Sequence, residues 1–154
     1  DLKYADDEKA QRYSGVSDYF SRACEAITEM ARQTGVPKFD SEGMLLRGTV
    51  VRHLILPENT RNSIAVLNWL QEHLSGQVLV SLMGQYVPCG AARKFRELNR
   101  RITPREYRKV QDHLFSLGLD GFVQQLSSAH KDYIPEFDLQ GVLERAPNRP
   151  KDTG

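Results

Sequence analysis

Two stretches decide the fold: Thr49-Val50-Val51-Arg52-His53-Leu54-Ile55-Leu56, stopped by Pro57, and Gln77-Val78-Leu79-Val80-Ser81-Leu82-Met83. Each is a short, β-branched and aliphatic run, too short for a helix, and reads as a strand. Runs with so few polar interruptions are expected in parallel strands covered on both faces. Between them, Asn59 or Thr60 caps a helix with an apolar stripe at Ile64, Leu67-Asn68, Leu70 and Leu74. Gly76 follows its end, where a left-handed residue is favoured. A strand, a helix and a strand of these lengths make a right-handed βαβ unit.

The same alternation continues outward. Downstream, Gly84 to Ile102 is a long connection with Pro88 and Gly90 and few periodic apolar anchors, and is expected to be mobile. Thr103-Pro104-Arg105-Glu106 is a capping box with proline at the first helical position. Its helix carries Tyr107, Val110, Leu114 and Leu117, is closed by Gly118, and leads to a last strand over Gly121 to Gln125. From Ile134, prolines and charges predict a surface or disordered tail, giving a domain over residues 1–133 and a tail over 134–154. Upstream, Asp40-Ser41-Glu42-Gly43 turns a small hairpin between Phe39 and Met44-Leu45-Leu46. Ser17 is a cap for a helix with Phe20, Ala23, Ile27 and Met30-Ala31 on one side, ended by Gly35 and Pro37. A short polar helix spans Asp6 to Tyr13, and Asp1-Leu2-Lys3 reads as the end of a strand. The class is α/β, with parallel strands alternating with helices.

The chain has 154 residues, 40% of them hydrophobic and 27% charged, as in an ordinary globular domain. With 21 Lys and Arg against 20 Asp and Glu, the net charge of +1 argues against a dedicated nucleic-acid binder. No apolar run approaches the ~20 residues that span a bilayer. Two cysteines, Cys24 and Cys89, are too few for a disulfide framework or for a zinc or iron–sulfur site made by this chain alone. Their sparseness suits a cytoplasmic protein. The chain begins at Asp1 without an initiator Met and is expected to be part of a larger protein.

In parallel sheets, chemistry gathers at the carboxyl ends of the strands. There, Asp1 and Lys3 share one strand face, with Leu2 on the other. A carboxylate beside an ammonium can hold a polar ligand; the alternative is a surface ion pair. Arg52, inside an apolar strand, offers a fork for carboxylate or phosphate, or pairs with a structural acid. His53 points to the opposite face and reads as a satisfied core histidine. Arg93, Lys94, Arg96, Arg100, Arg101, Arg105, Arg108 and Lys109 form a basic region that could meet an acidic partner or RNA, or be a solvated face. His73, His113 and His130 show no metal-ligand spacing, and no phosphate loop, nucleophile elbow or H-E-x-x-H occurs.

Six segments in order carry a resemblance: Asp1-Leu2-Lys3-Tyr4-Ala5-Asp6, Tyr13 to Phe20, Arg47 to Pro57, Val80 to Tyr86, Glu97 to Thr103 and Tyr133 to Asp138. Together they resemble the carboxyl-terminal half of a radical S-adenosylmethionine protein related to pyruvate formate-lyase activating enzyme. The resemblance implies a partial, TIM-like barrel of which this chain holds half. It implies that the parent is an oxidoreductase whose 4Fe–4S cluster cleaves S-adenosylmethionine to a 5′-deoxyadenosyl radical. The substrate would be a protein, such as a glycyl-radical enzyme, or a small molecule. The three-cysteine loop for that cluster is not in this chain, so the isolated chain would be inactive and would bind neither cofactor. On the family's layout Thr49–Leu56 and Gln77–Met83 are the fifth and sixth strands. Asp1, Lys3, Arg52, Met83 and Tyr86 become the cosubstrate-binding candidates, with no catalytic or metal-binding residue in this chain. Where activating enzymes often have Pro-Gly and a histidine after these strands, this chain has Pro57-Glu58 and Gln85-Tyr86. A half-barrel leaves an open edge through which the chain would self-associate. The alternative reading is a non-enzymatic α/β module that binds an acidic partner or RNA through Arg93 to Lys109.

Overall fold

The computed structural model of this chain describes residues 1–123. The elements in chain order are α1 (Asp7–Ser14), α2 (Tyr19–Thr34), β1 (Lys38–Phe39), β2 (Leu45–Arg47), β3 (Thr49–Leu54), α3 (Thr60–Leu74), β4 (Val78–Met83), α4 (Pro104–Leu117) and β5 (Gly121–Val123). Strands β3, β4 and β5 form a parallel sheet in that order, with Arg52 opposite Ser81 and Ser81 opposite Phe122. Gly121 permits the last pairing, since a Cβ there would collide with the Val80 backbone. β1 and β2 form a separate antiparallel hairpin. Its turn is held by Asp40 Oδ1, which accepts from the amides of Glu42 and Met44. The α/β class with a parallel sheet therefore holds. Among the described residues that sheet has three strands and does not close into a barrel.

Local signals explain the helix ends. The capping box is formed: Thr103 Oγ1 accepts from the Glu106 amide at 3.2 Å, and Glu106 Oε2 accepts from the Thr103 amide at 2.8 Å. Gly118 closes α4 in the left-handed conformation, and Gly15 does the same for α1. Helix α2 starts one residue later than a cap at Ser17 suggests, with Asp18 at the cap position and no side-chain cap bond.

The core lies between the sheet and its helices. Leu2, Val51, Ile55, Val66, Leu67, Leu70, Val78, Val80, Leu82, Val110 and Leu114 are fully or almost fully buried. Full burial of a side chain of this size contributes roughly 1.5–3 kcal/mol. Strand β3 corrects one expectation. It is covered on one face only: Thr49, Val51 and His53 are buried, whereas Val50 and Arg52 on the other face are exposed. The apolar run that suggests two covered faces instead faces helices on one side and solvent on the other.

The connection from Gly84 to Ile102 is also better anchored than its sequence suggests. It contains two short 3₁₀ turns, Gly90–Lys94 and Arg96–Leu98, and buries Tyr86, Leu98 and Ile102. Phe95 packs edge-on against Tyr13 at 5.1 Å, and Glu97 accepts from Arg12 at 2.5 Å and from Tyr13 at 3.0 Å. The premise of few apolar anchors is therefore wrong. Gln124 and Gln125 of the expected last strand, the domain limit at residue 133 and the tail lie outside the described residues.

Candidate functional site

Residues Asp1 to Ala5 run beside the carboxyl end of β3, and they divide between its two faces. The Leu2 amide donates to the Arg52 carbonyl at 3.0 Å, which fixes the register. Leu2 then points into the core while Asp1 and Lys3 remain exposed, the alternation that the sequence predicts.

On the uncovered face, Arg52 Nε donates to Asp1 Oδ1 at 2.7 Å and Nη2 to Asp1 Oδ2 at 3.2 Å. This is a two-pronged guanidinium–carboxylate pair, with side-chain exposures of 60% and 36%. Lys3 does not join it: its ammonium makes no hydrogen bond or ion pair with the described residues. The Lys3 backbone is held by Tyr19, whose hydroxyl accepts from the Lys3 amide at 2.8 Å and donates to the Asp1 carbonyl at 3.1 Å. Met83 lies across from Leu54 on the same uncovered face and is partly exposed. Tyr86 is turned into the core instead, and its hydroxyl donates to the Leu98 carbonyl at 2.9 Å. Burial raises its pKa, so it stays a neutral phenol. Between them, Gln85 has a buried Oε1 with no hydrogen-bond partner. Thus Asp1, Arg52 and Met83 lie on the uncovered face, whereas Tyr86 belongs to the packing behind it.

On the covered face, His53 is fully buried between Leu2 and α3. Its Nδ1 lies 2.7 Å from the Leu2 carbonyl and its Nε2 lies 2.8 Å from Ser63 Oγ. A neutral ring donating from Nδ1 and accepting from Ser63 satisfies both contacts. Burial pushes the His53 pKa down to about 4. The Ser63–His53 distance is that of a nucleophile and its base. Both residues are enclosed, however, so no substrate reaches Ser63 and the pair serves to hold the amino-terminal segment. Asn62 completes that hold: its Oδ1 accepts from the Ala5 amide at 2.8 Å and its Nδ2 donates to the Lys3 carbonyl at 2.9 Å. Sequence reading missed Asn62 and Ser63. The one available signal was their place in the first turn of a helix that follows a strand end.

The turn after β3 is strained. Glu58 has φ +59°, an uncommon value for a residue with a side chain. Its amide donates to Glu106 Oε1 at 2.7 Å, and Arg100 donates to both Glu106 oxygens at 2.8 and 2.9 Å. The hydrogen bonds from Arg100 contribute most to holding the Glu106 carboxyl down at about 2.

Other features lie away from the carboxyl ends of the strands. A cleft of about 400 Å³ opens at the amino ends of β4 and β5, lined mainly by Val36, Phe39, Leu79 and Phe122, with Asp120 as its charge. Cys24 is partly buried, and burial pushes its thiol up to about 11. Among the described residues no three His, Cys, Asp or Glu converge as metal ligands, and no helix is long and apolar enough to cross a membrane. The chain matches no family model, no curated protein and no solved structure.

Proposed function

We propose that this chain is the carboxyl-terminal part of a partial βα barrel, and that the uncovered face of β3–β4–β5 lines a ligand site in the complete protein. The observation that carries the proposal is the Asp1–Arg52 pair, held in the open at the carboxyl end of a parallel strand whose other face is sealed by helices. Combined with the six-segment resemblance, this favours a radical S-adenosylmethionine enzyme related to pyruvate formate-lyase activating enzyme, acting in the cytoplasm on a protein or small molecule.

In that reading Arg52 offers its fork to the cosubstrate carboxylate, with Asp1 holding the guanidinium in place. Lys3 supplies a free ammonium beside them, and Met83 lines the adjoining apolar wall. The 4Fe–4S cluster does not fit this chain, which has two cysteines on separate elements and no thiolate set. The cluster would be held by the preceding part of the protein, so the isolated chain is inactive.

The test uses the longer protein that contains this chain, reconstituted with iron and sulfide under reducing conditions. The expected result is conversion of S-adenosylmethionine to 5′-deoxyadenosine and methionine, with a raised KM in Arg52→Gln. A reconstituted protein that holds no iron and leaves S-adenosylmethionine intact overturns the proposal.

A further inference from the structure

The basic region between Arg93 and Lys109 changes character once folded. It contains eight Lys and Arg against two Glu, in a chain whose net charge is only +1, so the remaining residues are net acidic. The fold then engages both acids. Glu97 takes Arg12, which comes from outside the region, and Glu106 takes Arg100. Arg93, Lys94, Arg96, Arg101, Arg105, Arg108 and Lys109 all remain exposed, with no ion pair to the described residues.

Three of these cations converge. Arg105, Arg108 and Lys109 are spaced by three and four residues, which stacks them along one flank of α4. With Thr103, Pro104 and Asp112 they line a shallow groove of about 720 Å³. The opposite flank of α4 is the buried one, with Tyr107, Val110 and Leu114. The capping box already serves the first amides of α4, so the attraction of this groove comes from its side chains.

We propose that this groove binds the phosphate backbone of a nucleic-acid duplex. Arginine forks match phosphate oxygens in two places. Along the helix, Arg105 to Lys109 rise about 6 Å, a reach that suits neighbouring phosphates of one strand. No exposed aromatic ring lines the groove itself: Tyr107 is buried, Phe95 is packed between Tyr13 and Arg12, and the exposed Phe115 lies about 10 Å further along α4 from Arg108. Recognition is therefore by charge along a backbone, independent of sequence and indifferent to the sugar. This inference is independent of the radical S-adenosylmethionine reading.

The experiment is fluorescence anisotropy of the full chain with labelled RNA and DNA duplexes of about 20 base pairs, the corresponding single strand, and poly-glutamate, across a salt series. Both duplexes should bind alike and lose affinity steeply with salt. The triple variant Arg105→Gln, Arg108→Gln, Lys109→Gln should weaken binding at least about tenfold and flatten the salt slope by about 2–3. Asp112→Asn should tighten binding, a gain that misfolding cannot mimic. Arg22→Gln with Arg32→Gln, on the exposed side of α2, should change nothing. Unchanged binding by the triple variant, tighter binding of the single strand, or equal binding of poly-glutamate overturns the proposal, the last in favour of an acidic protein partner.

Discussion

Arg52 and His53 are neighbours on one strand, and the two faces of β3 use them in opposite ways. Arg52 meets Asp1 in solvent, where an ion pair contributes about 0–1 kcal/mol. His53 meets Leu2 and Ser63 in the core, where leaving a polar group unpaired costs about 1–3 kcal/mol per group. The same tripeptide supplies both partners, Asp1 outside and Leu2 inside. A polar residue in an apolar strand is thus informative only once its face is known. The covered face fixes the amino-terminal segment, and the uncovered face keeps charge available.

The largest effect is expected at His53. His53→Leu removes a partner from both the Leu2 carbonyl and Ser63 Oγ, and should lower unfolding stability by about 3–5 kcal/mol, read as a shift in urea midpoint. A loss below about 1 kcal/mol would mean that the buried bridge is dispensable.

Acid probes the same bridge without mutation. The folded protein keeps His53 neutral down to about 4, while the unfolded chain takes up its proton near 6.5. Between these values the unfolded state binds more protons, so the stabilisation is complete above 6.5 and falls away as the pH drops toward 4. The loss should be on the order of 3 kcal/mol, and His53→Leu should lack this part of the pH dependence. Glu106, held low at about 2, loses its contribution only at still lower pH, as it protonates below its ordinary 4.5.

Asn62→Ala loosens the same amino-terminal segment at a smaller scale. It releases the Lys3 carbonyl and the Ala5 amide, both partly buried, and should cost about 1–3 kcal/mol. Amide exchange in residues 2–5 should speed up while β4 stays protected. Arg52→Gln has the smallest expected effect on stability, below about 1 kcal/mol. A larger loss would make the exposed pair part of the framework rather than a free site.

Much of this division was legible in the sequence. The strand runs at Thr49 and Gln77, the capping box at Thr103, the hairpin turn at Asp40 and the inward direction of His53 all rest on local chemistry, and all are formed. The hidden parts depend on tertiary contacts. Stripe-finding on α3 weighted apolar residues, so it passed over Asn62 and Ser63, which are buried because Leu2, Lys3 and Ala5 need partners there. Val50 reads as core by composition, yet it stays 37% exposed beside the buried Leu79. Tyr86 stands in a polar-looking strand end, but the 3₁₀ turns after it carry the Leu98 carbonyl back to its hydroxyl. The engagement of Glu97 likewise needs Arg12 from far upstream, whereas Glu106 pairs with Arg100 inside the region.

The proposed site requires that the uncovered part of the sheet face be met by another surface. Val50 is 37% and Phe122 50% exposed on that face, and among the described residues β3 has a free edge along most of its length. Light scattering of the isolated chain at about micromolar concentration tests this most directly. The expected result is dimers or larger species, with Val50→Lys and Phe122→Lys giving a monomer of unchanged helix content. A wild-type chain that is monomeric throughout that range would contradict it.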